Sequence, residues 1–161
     1  MGRPPICTCG AVKLWAGAVQ SADNSQHLLD WYTPSHIIHG LIFFWAAHLL
    51  MPRRPLGMRL LVALLVEAAW EIAENSPAVI DRYRQATMAL GYTGDSVLNS
   101  MSDLGAMVAG FWLASRLPWR WSVGLALAFE LGTLLAVRDN LTLNVLMLVA
   151  PVEAIKTWQA G

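Results

Sequence analysis

Long apolar runs, separated by short connections rich in proline, arginine or amide residues, are the main pattern in this chain. A helix of about 20 apolar residues, rising 1.5 Å per residue, is long enough to cross the hydrocarbon core of a bilayer. The pattern therefore predicts an all-α fold, a polytopic bundle of about five transmembrane helices. The predicted spans are 36–51, 58–75, 97–117, 120–137 and 141–156.

The remaining stretches are polar or turn-forming and divide the chain into two parts. Residues 1–35 are predicted to be a non-spanning segment outside the cytoplasm, at the membrane interface. Residues 36–161 are predicted to form a single transmembrane helical domain, in which 76–96 is an extracytoplasmic connection. Within that connection, 80–90 is expected to lie as a short helix on the membrane surface.

The arginine and lysine residues of the short loops predict the orientation of the bundle. These residues are enriched in the 52–59 and 116–120 loops, and Lys156 lies near the C-terminus. Because cytoplasmic loops carry an excess of such residues, we expect both loops and the C-terminus in the cytoplasm. Residues 1–35 and 76–96 are then expected outside.

Composition agrees with a protein whose main partner is the lipid bilayer. The chain is 56% hydrophobic and only 14% charged, with a formal net charge of zero. No basic patch indicates nucleic acid as a partner. Cys7 and Cys9 are too close in sequence for an ordinary unstrained disulfide and too few for a zinc site. We interpret them as structural or incidental, or as half of a metal or redox site.

Two polar stripes interrupt the apolar runs. The stripes consist of Glu67, Glu71 and Glu74 in the second predicted span, and of Asp95, Asn99 and Asp103 at the start of the third. Within each set, successive residues are three or four positions apart, which places the set on one helical face. Ionisable groups in a membrane segment face the bundle interior and are typical of functional sites, because a charge facing lipid has no partner.

The predicted topology brings these stripes together with two histidines. His36 and His39 begin the first span, at the same outer face as the end of the second and the start of the third. We therefore predict one shared pocket with a divalent metal ion bound by His36, His39, Glu71, Glu74 and Asp95. Imidazole and carboxylate ligands suit zinc, iron or manganese. Glu71, Glu74, Asp95, Asn99 and Asp103 are the predicted catalytic residues.

Three functions fit this pattern. The first is a metal- or carboxylate-dependent hydrolase or transferase acting on a lipid-linked or amphiphilic substrate at the outer leaflet. The second is a structural or assembly protein that binds another membrane protein and whose polar groups lock its helices together. The third is a proton or cation carrier that uses Glu67, Glu130 and the other acids as a relay.

Five stretches of this chain resemble the uncharacterised protein family 0314, also described as domain of unknown function 2585. The stretches are Cys7–Gly10, Asn24–His27, Asp30–Gly40, Trp70–Asn75 and Gly94–Asp103. The resemblance covers nearly the whole chain and implies a multi-pass protein of the bacterial inner membrane, without naming an activity. It also implies that members have one further apolar segment ahead of the position of Met1.

Overall fold

The computed structural model describes residues 2–87 and 91–160, and most of them are helical. The helices of this described part are α1 (Thr33–Leu50), α2 (Leu56–Glu74), α3 (Pro77–Ala86), α4 (Val97–Arg116), α5 (Trp119–Val137), α6 (Leu141–Val149) and α7 (Glu153–Ala160). The prediction of an all-α fold is confirmed.

The helix starts follow from local sequence. The Ser76 side chain accepts a hydrogen bond from the Val79 N–H, and Pro77 then occupies the first turn of α3, where no donor is needed. The Ser96 side chain caps α4 in the same way. Asn140 caps α6. These three caps fix where the chain leaves its loops at the polar end of the molecule.

The four long helices agree closely with the first four predicted spans. They contain 18 to 20 residues each, about 27–30 Å of helix. In the described part of the chain, only α5 is both long and apolar enough to qualify as a membrane-crossing helix. The five-span bundle is therefore not confirmed.

The predicted fifth span, 141–156, is wrong. α6 ends at Val149, and the chain turns at Pro151, which has no N–H to continue a helix. The α7 helix then returns, so that the Lys156 ammonium donates to the Gln85 carbonyl at 2.6 Å. The C-terminal helix consequently lies beside the 76–96 connection, and not at the opposite end of the bundle as predicted.

Helices α1 and α4 run parallel and form the most extensive helix contact. A Cβ at Gly40 would lie 2.0 Å from the Met107 carbonyl oxygen, and one at Gly110 would lie 2.1 Å from the Ile37 carbonyl oxygen. The two backbones therefore touch where both helices carry glycine. Farther along, Phe44 and Phe111 pack edge to face with ring centroids 5.3 Å apart.

The connection between α2 and α4 is anchored to α6. The Tyr83 hydroxyl donates to Asn144 Oδ1 at 2.9 Å, and Arg82 Nε donates to the Leu148 carbonyl at 2.8 Å. A surface helix was predicted over 80–90, but α3 begins and ends earlier, and residues 88–90 lie outside the described residues. This packing holds α6 at the same end of the bundle as α3.

The N-terminal segment folds over the start of α4. It contains one short parallel pair of strands, β1 (Trp15–Ala16) and β2 (Leu29–Asp30). The Val97 N–H donates to the Pro4 carbonyl at 2.9 Å, which ties this segment to the first turn of α4. Cys7 and Cys9, which their spacing in the sequence predicts to be too close for an ordinary unstrained disulfide, are joined by a disulfide.

Candidate functional site

Glu67 lies at the centre of the polar end and is fully buried. His36 Nδ1 is 2.7 Å from Glu67 Oε1, and His39 Nδ1 lies 2.9 and 3.0 Å from the two Glu67 oxygens. The two histidines reach the same carboxylate because residues three apart share one face of α1. A carboxylate accepts hydrogen bonds, so both Nδ1 atoms donate, and in the neutral ring each Nε2 then keeps its lone pair.

A second cluster shares His36. One ligand atom from each of His36, Glu71 and Asp103 lies within 4.8 Å of the other two, and all three residues are buried. Glu71 Oε1 is 3.6 Å from His36 Nδ1, and Asp103 Oδ2 is 3.8 Å from His36 Nε2. Among the described residues, neither oxygen of Glu71 has a hydrogen-bond partner, and Asp103 Oδ1 has none either.

Unpartnered buried carboxylate oxygens are costly. A metal ion or a proton removes that cost, and three convergent imidazole and carboxylate donors are a suitable set for zinc, iron or manganese. The residues present therefore fit a divalent cation.

Asp95 is held in a separate network. Asn75 Nδ2 donates to Asp95 Oδ2 at 2.7 Å, Tyr92 OH donates to Asp95 Oδ1 at 2.9 Å, and the Asp95 N–H donates back to Asn75 Oδ1 at 2.7 Å. Burial raises the pKa of Asp95, and these hydrogen bonds act in the opposite direction. Arg3 Nε also donates to the Asp95 carbonyl at 2.8 Å. Both carboxylate oxygens are thus already occupied.

Asn99 connects α4 to the N-terminal segment. Its Nδ2 donates to the His27 carbonyl at 2.9 Å, and its backbone N–H donates to the Ser96 hydroxyl. The Ser96 hydroxyl in turn donates to the Gln26 carbonyl at 3.1 Å. Asn99 therefore holds the N-terminal segment, which covers the polar end of the bundle. Asn99 also lines the cavity at that end.

A cavity of about 270 Å³ is lined by most of these groups, but not by Glu71. Its lining residues include Asp30, His36, His39, Glu67, Glu74, Asp95, Asn99 and Asp103, together with the apolar Phe43, Val66, Trp70, Leu141 and Val145. Among the described residues, no lysine or arginine lines it. Five acids against two imidazoles make a cavity that favours cations.

The structure thus brings most of the predicted site residues to one place, but in different roles. His36, Glu71 and Asp103 form a ligand cluster, and His39 joins His36 at Glu67. Glu74 and Asp95, predicted as metal ligands, line the cavity but belong to neither cluster.

The predicted ligand set did not include Glu67, although both histidines hydrogen-bond to its carboxylate. Its spacing of four residues from Glu71 was the available signal. Tyr83, Tyr92 and Asn144 also line the cavity, and they come from the connection and from α6. No pattern in the sequence distinguishes these three, because tertiary contacts bring them there: α3 packs against α6, and Tyr92 contacts Tyr83 and Asp95.

Glu130, an acid in the proposed relay, has a local structural role. Its Oε1 accepts from the Leu141 N–H at 2.9 Å, and its Oε2 accepts from the Thr142 N–H at 3.2 Å. A carboxylate at a helix N-terminus satisfies orphan donors and complements the helix dipole. Glu130 is not among the cavity-lining residues.

Fold and site together define a class: an all-α protein with histidines and carboxylates buried at one end of its long helices. The chain belongs to the family described as "Protein of unknown function (DUF2585)", which it matches over residues 1–161.

Several relatives are similar over the full chain. A UPF0314 protein of Sphingopyxis alaskensis is 63% identical over 100% of this chain and 86% of its own length. A UPF0314 protein of Rhizobium etli is 60% identical over 100% of this chain and 83% of its own. One of Paracoccus denitrificans is 59% identical over the same two shares. No solved structure matches the chain.

Proposed function

We propose that this chain is a multi-pass protein of the bacterial inner membrane that binds a divalent metal ion. In this proposal it acts as a hydrolase or transferase on a lipid-linked or amphiphilic substrate at the outer leaflet. The observation that carries the proposal is the His36, Glu71 and Asp103 cluster, in which both Glu71 oxygens and Asp103 Oδ1 are buried without a hydrogen-bond partner among the described residues.

The exposed surface of α5 supports the membrane part of the proposal. Leu127, Leu131 and Leu135 are 56%, 57% and 84% exposed and recur every fourth residue, whereas the polar Ser122 and Thr133 are buried. A helix that buries its polar residues and exposes its leucines is suited to lipid, because lipid does not penalise exposed apolar surface.

Each residue of the site then has a distinct part. His36, Glu71 and Asp103 hold the ion, which would supply Lewis acidity and lower the pKa of a bound water. Glu67 fixes the orientation of His36 through the Nδ1 hydrogen bond, as carboxylates do behind metal-binding histidines. Glu74 lies in the same cavity, outside the ligand cluster, and is available for proton transfer.

The mixed lining of the cavity supports an amphiphilic substrate. Phe43, Trp70 and Val145 provide apolar contact beside the carboxylates, and the cavity lies at the ends of α1, α2 and α4. A substrate with a polar head and an apolar tail matches this division of the lining into carboxylates and apolar side chains.

Metal content of the purified protein is the test. The full chain would be purified in mild detergent without chelator and analysed for metals, with about one equivalent of zinc, iron or manganese expected. Glu71→Gln and Asp103→Asn keep the shape of the side chain but remove its charge, and each is expected to lose the metal. His48→Ala is the matched control, because His48 is exposed and lies near the opposite end of α1. Metal-free wild type, or full occupancy in both variants, would contradict the proposal.

A second candidate, a structural or assembly protein, is favoured by the hydrogen bonds themselves. His36 and His39 join α1 to Glu67 of α2, and Asn75 joins the end of α2 to Asp95 ahead of α4. Such bonds are worth about 0.6 kcal/mol each on average in membranes, so several acting together lock a bundle. Normal folded yield of Glu71→Gln together with lost metal would favour the enzyme over this reading.

A further inference from the structure

The Cys7–Cys9 disulfide lies outside the cavity and has its own arrangement of polar groups. Cys7 is 3% exposed, whereas Cys9 is exposed. The Cys9 N–H donates to Cys7 Sγ at 3.1 Å. The two cysteines therefore differ in exposure, and Cys7 Sγ accepts a backbone hydrogen bond.

His27 contributes a second donor to this arrangement. Its side chain is fully buried, and its Nδ1 accepts from the Lys13 N–H at 3.3 Å. In the neutral ring the proton is then on Nε2. Among the described residues Nε2 has no hydrogen-bond partner, and Asp23 Oδ2, at 3.7 Å, is beyond hydrogen-bond range.

The His27 imidazole lies close to the disulfide. One ligand atom from each of Cys7, Cys9, Asp23 and His27 lies within 4.8 Å of all the others. The Asp23 carboxylate also pairs with the Lys13 ammonium, which holds the pKa of Asp23 below its usual range. Among the described residues near the sulfurs, the imidazole Nε2 has no hydrogen-bond partner, and its nearest charged neighbour is Asp23 Oδ2 at 3.7 Å.

We propose that Cys7 and Cys9 form a thiol–disulfide exchange site in which the exposed Cys9 sulfur is attacked and Cys7 leaves as a thiolate. The Cys9 N–H and the His27 Nε2–H stabilise that thiolate. A thiolate that accepts hydrogen bonds is a better leaving group, and access decides which sulfur is attacked.

The substrate is a dithiol, and the exchange has two steps. One substrate thiolate bonds to Cys9 Sγ, the Cys7–Cys9 bond breaks, and its electron pair passes to Cys7 Sγ. The second substrate thiolate then displaces Cys9, so that the substrate leaves as a disulfide, oxidised by two electrons. Cys7 and Cys9 gain those two electrons and the two protons of the dithiol.

Trapping the mixed disulfide tests the direction of attack. In the full chain, Cys7→Ser leaves only the exposed sulfur, and we expect oxidised glutathione to modify Cys9 as measured by intact mass. Cys9→Ser leaves the buried sulfur, and its modification is expected to be at least about 10-fold slower because access controls exchange. Equal rates for the two variants would overturn the proposal.

The donor role of His27 is tested by two substitutions with opposite expectations. His27→Leu removes the N–H, and the reduction of the disulfide by dithiothreitol is expected to slow about 10-fold, the value of one hydrogen bond to a charged group. His27→Gln restores a donor at the position of Nε2, and its rate is expected to recover toward wild type. His48→Leu is the control, and thermal unfolding of each variant checks its fold.

Two outcomes would contradict this role. Identical reduction rates in His27→Leu and wild type would remove His27 from the site. Stoichiometric binding of Zn²⁺ by the reduced chain, with both thiols protected from alkylation, would assign a metal site in place of an exchange site. Neither outcome depends on metal bound at His36, so failure here is distinct from failure of the proposed function.

Discussion

At the scale of single residues, Glu67 sets the ring orientation of two histidines at once. Its two oxygens accept from the Nδ1 atoms of His36 and His39, so a single carboxylate orients both rings. The Nε2 atom of His36 remains directed toward Asp103. A group that sets ring orientation and tautomer in this way controls metal affinity without touching the metal.

Glu67→Gln is expected to lower metal affinity by about 10–100-fold, the usual effect of losing such a partner. The amide has one acceptor oxygen and no charge, so it cannot hold both imidazoles as the carboxylate does. Competition with a chromogenic chelator measures the affinity, and Glu153→Gln, at an exposed position, is the control. Unchanged affinity in Glu67→Gln would show that the His36 orientation is set by other contacts.

Asp139 gives the molecule a pH dependence away from the cavity. It lies between α5 and α6, and burial raises its pKa to about 6, although Asn140 N–H and Tyr32 OH donate to it. Because the folded state favours the protonated form, the stability contribution is full below pH ~4 and is lost as the pH rises through about 6.

Asp139→Asn cannot ionise and is expected to unfold at a higher temperature than wild type at pH 8, with a gain of up to about 3 kcal/mol. At pH 4 the two proteins are expected to be nearly equal. Thermal unfolding in detergent at both pH values measures this, and Asp81→Asn, on the exposed face of α3, is the control. A wild type that is the more stable protein at pH 8 would show the sign to be wrong.

At the scale of elements, the α1–α4 contact depends on two glycines. At Gly40 and Gly110 an added methyl group would meet backbone atoms of the other helix, which cannot move aside as a flexible side chain does. Because α1 carries His36 and α4 carries Asp103, separation of these helices would also open the ligand cluster.

Gly110→Ala is expected to destabilise the chain by about 1–3 kcal/mol or more, because overpacking forces the helices apart. Gly105→Ala, on the same helix, meets nothing within 4 Å and is expected to be neutral or stabilising by up to about 1 kcal/mol. Thermal unfolding of the two variants in one detergent makes the comparison. Equal destabilisation would contradict the close contact.

At the scale of the whole molecule, the failure of the fifth predicted span changes the topology. With α6 and α7 held beside the connection, the long helices that remain are α1, α2, α4 and α5, an even number. If these four cross the membrane as proposed, the two chain ends lie on the same side.

A reporter fused after Gly161 is therefore expected on the periplasmic side, where the proposed orientation also places the N-terminal segment. Alkaline phosphatase is active only there, and a fluorescent protein fused at the same point is expected to stay dark. An equivalent fusion in the 52–59 loop is expected to give the opposite pair of signals. Phosphatase activity at the loop and fluorescence at the C-terminus would reverse the arrangement.

The sequence by itself determined the features that depend on local order. The long apolar runs gave α1, α2, α4 and α5, because helical periodicity and caps such as Ser96 are local properties. The spacing of Glu67, Glu71 and Glu74 gave a polar face for the same reason. The recurrence of Ala106, Gly110 and Ala114, which suits close helix packing, coincides with the buried face of α4.

Only the tertiary structure decided which polar groups meet. Glu67 joins two imidazoles, Asp95 is hydrogen-bonded to Asn75 and Tyr92, and Glu130 caps α6. Each of these contacts depends on distances between segments that are separated in the chain. A carboxylate in an apolar run needs a partner, but its sequence neighbours do not specify which one. Residues 141–156 show the same limit. Pro151 interrupts their helix, but their apolar composition suits a span, and only the contacts with Tyr83 and Gln85 of α3 fix where the segment lies.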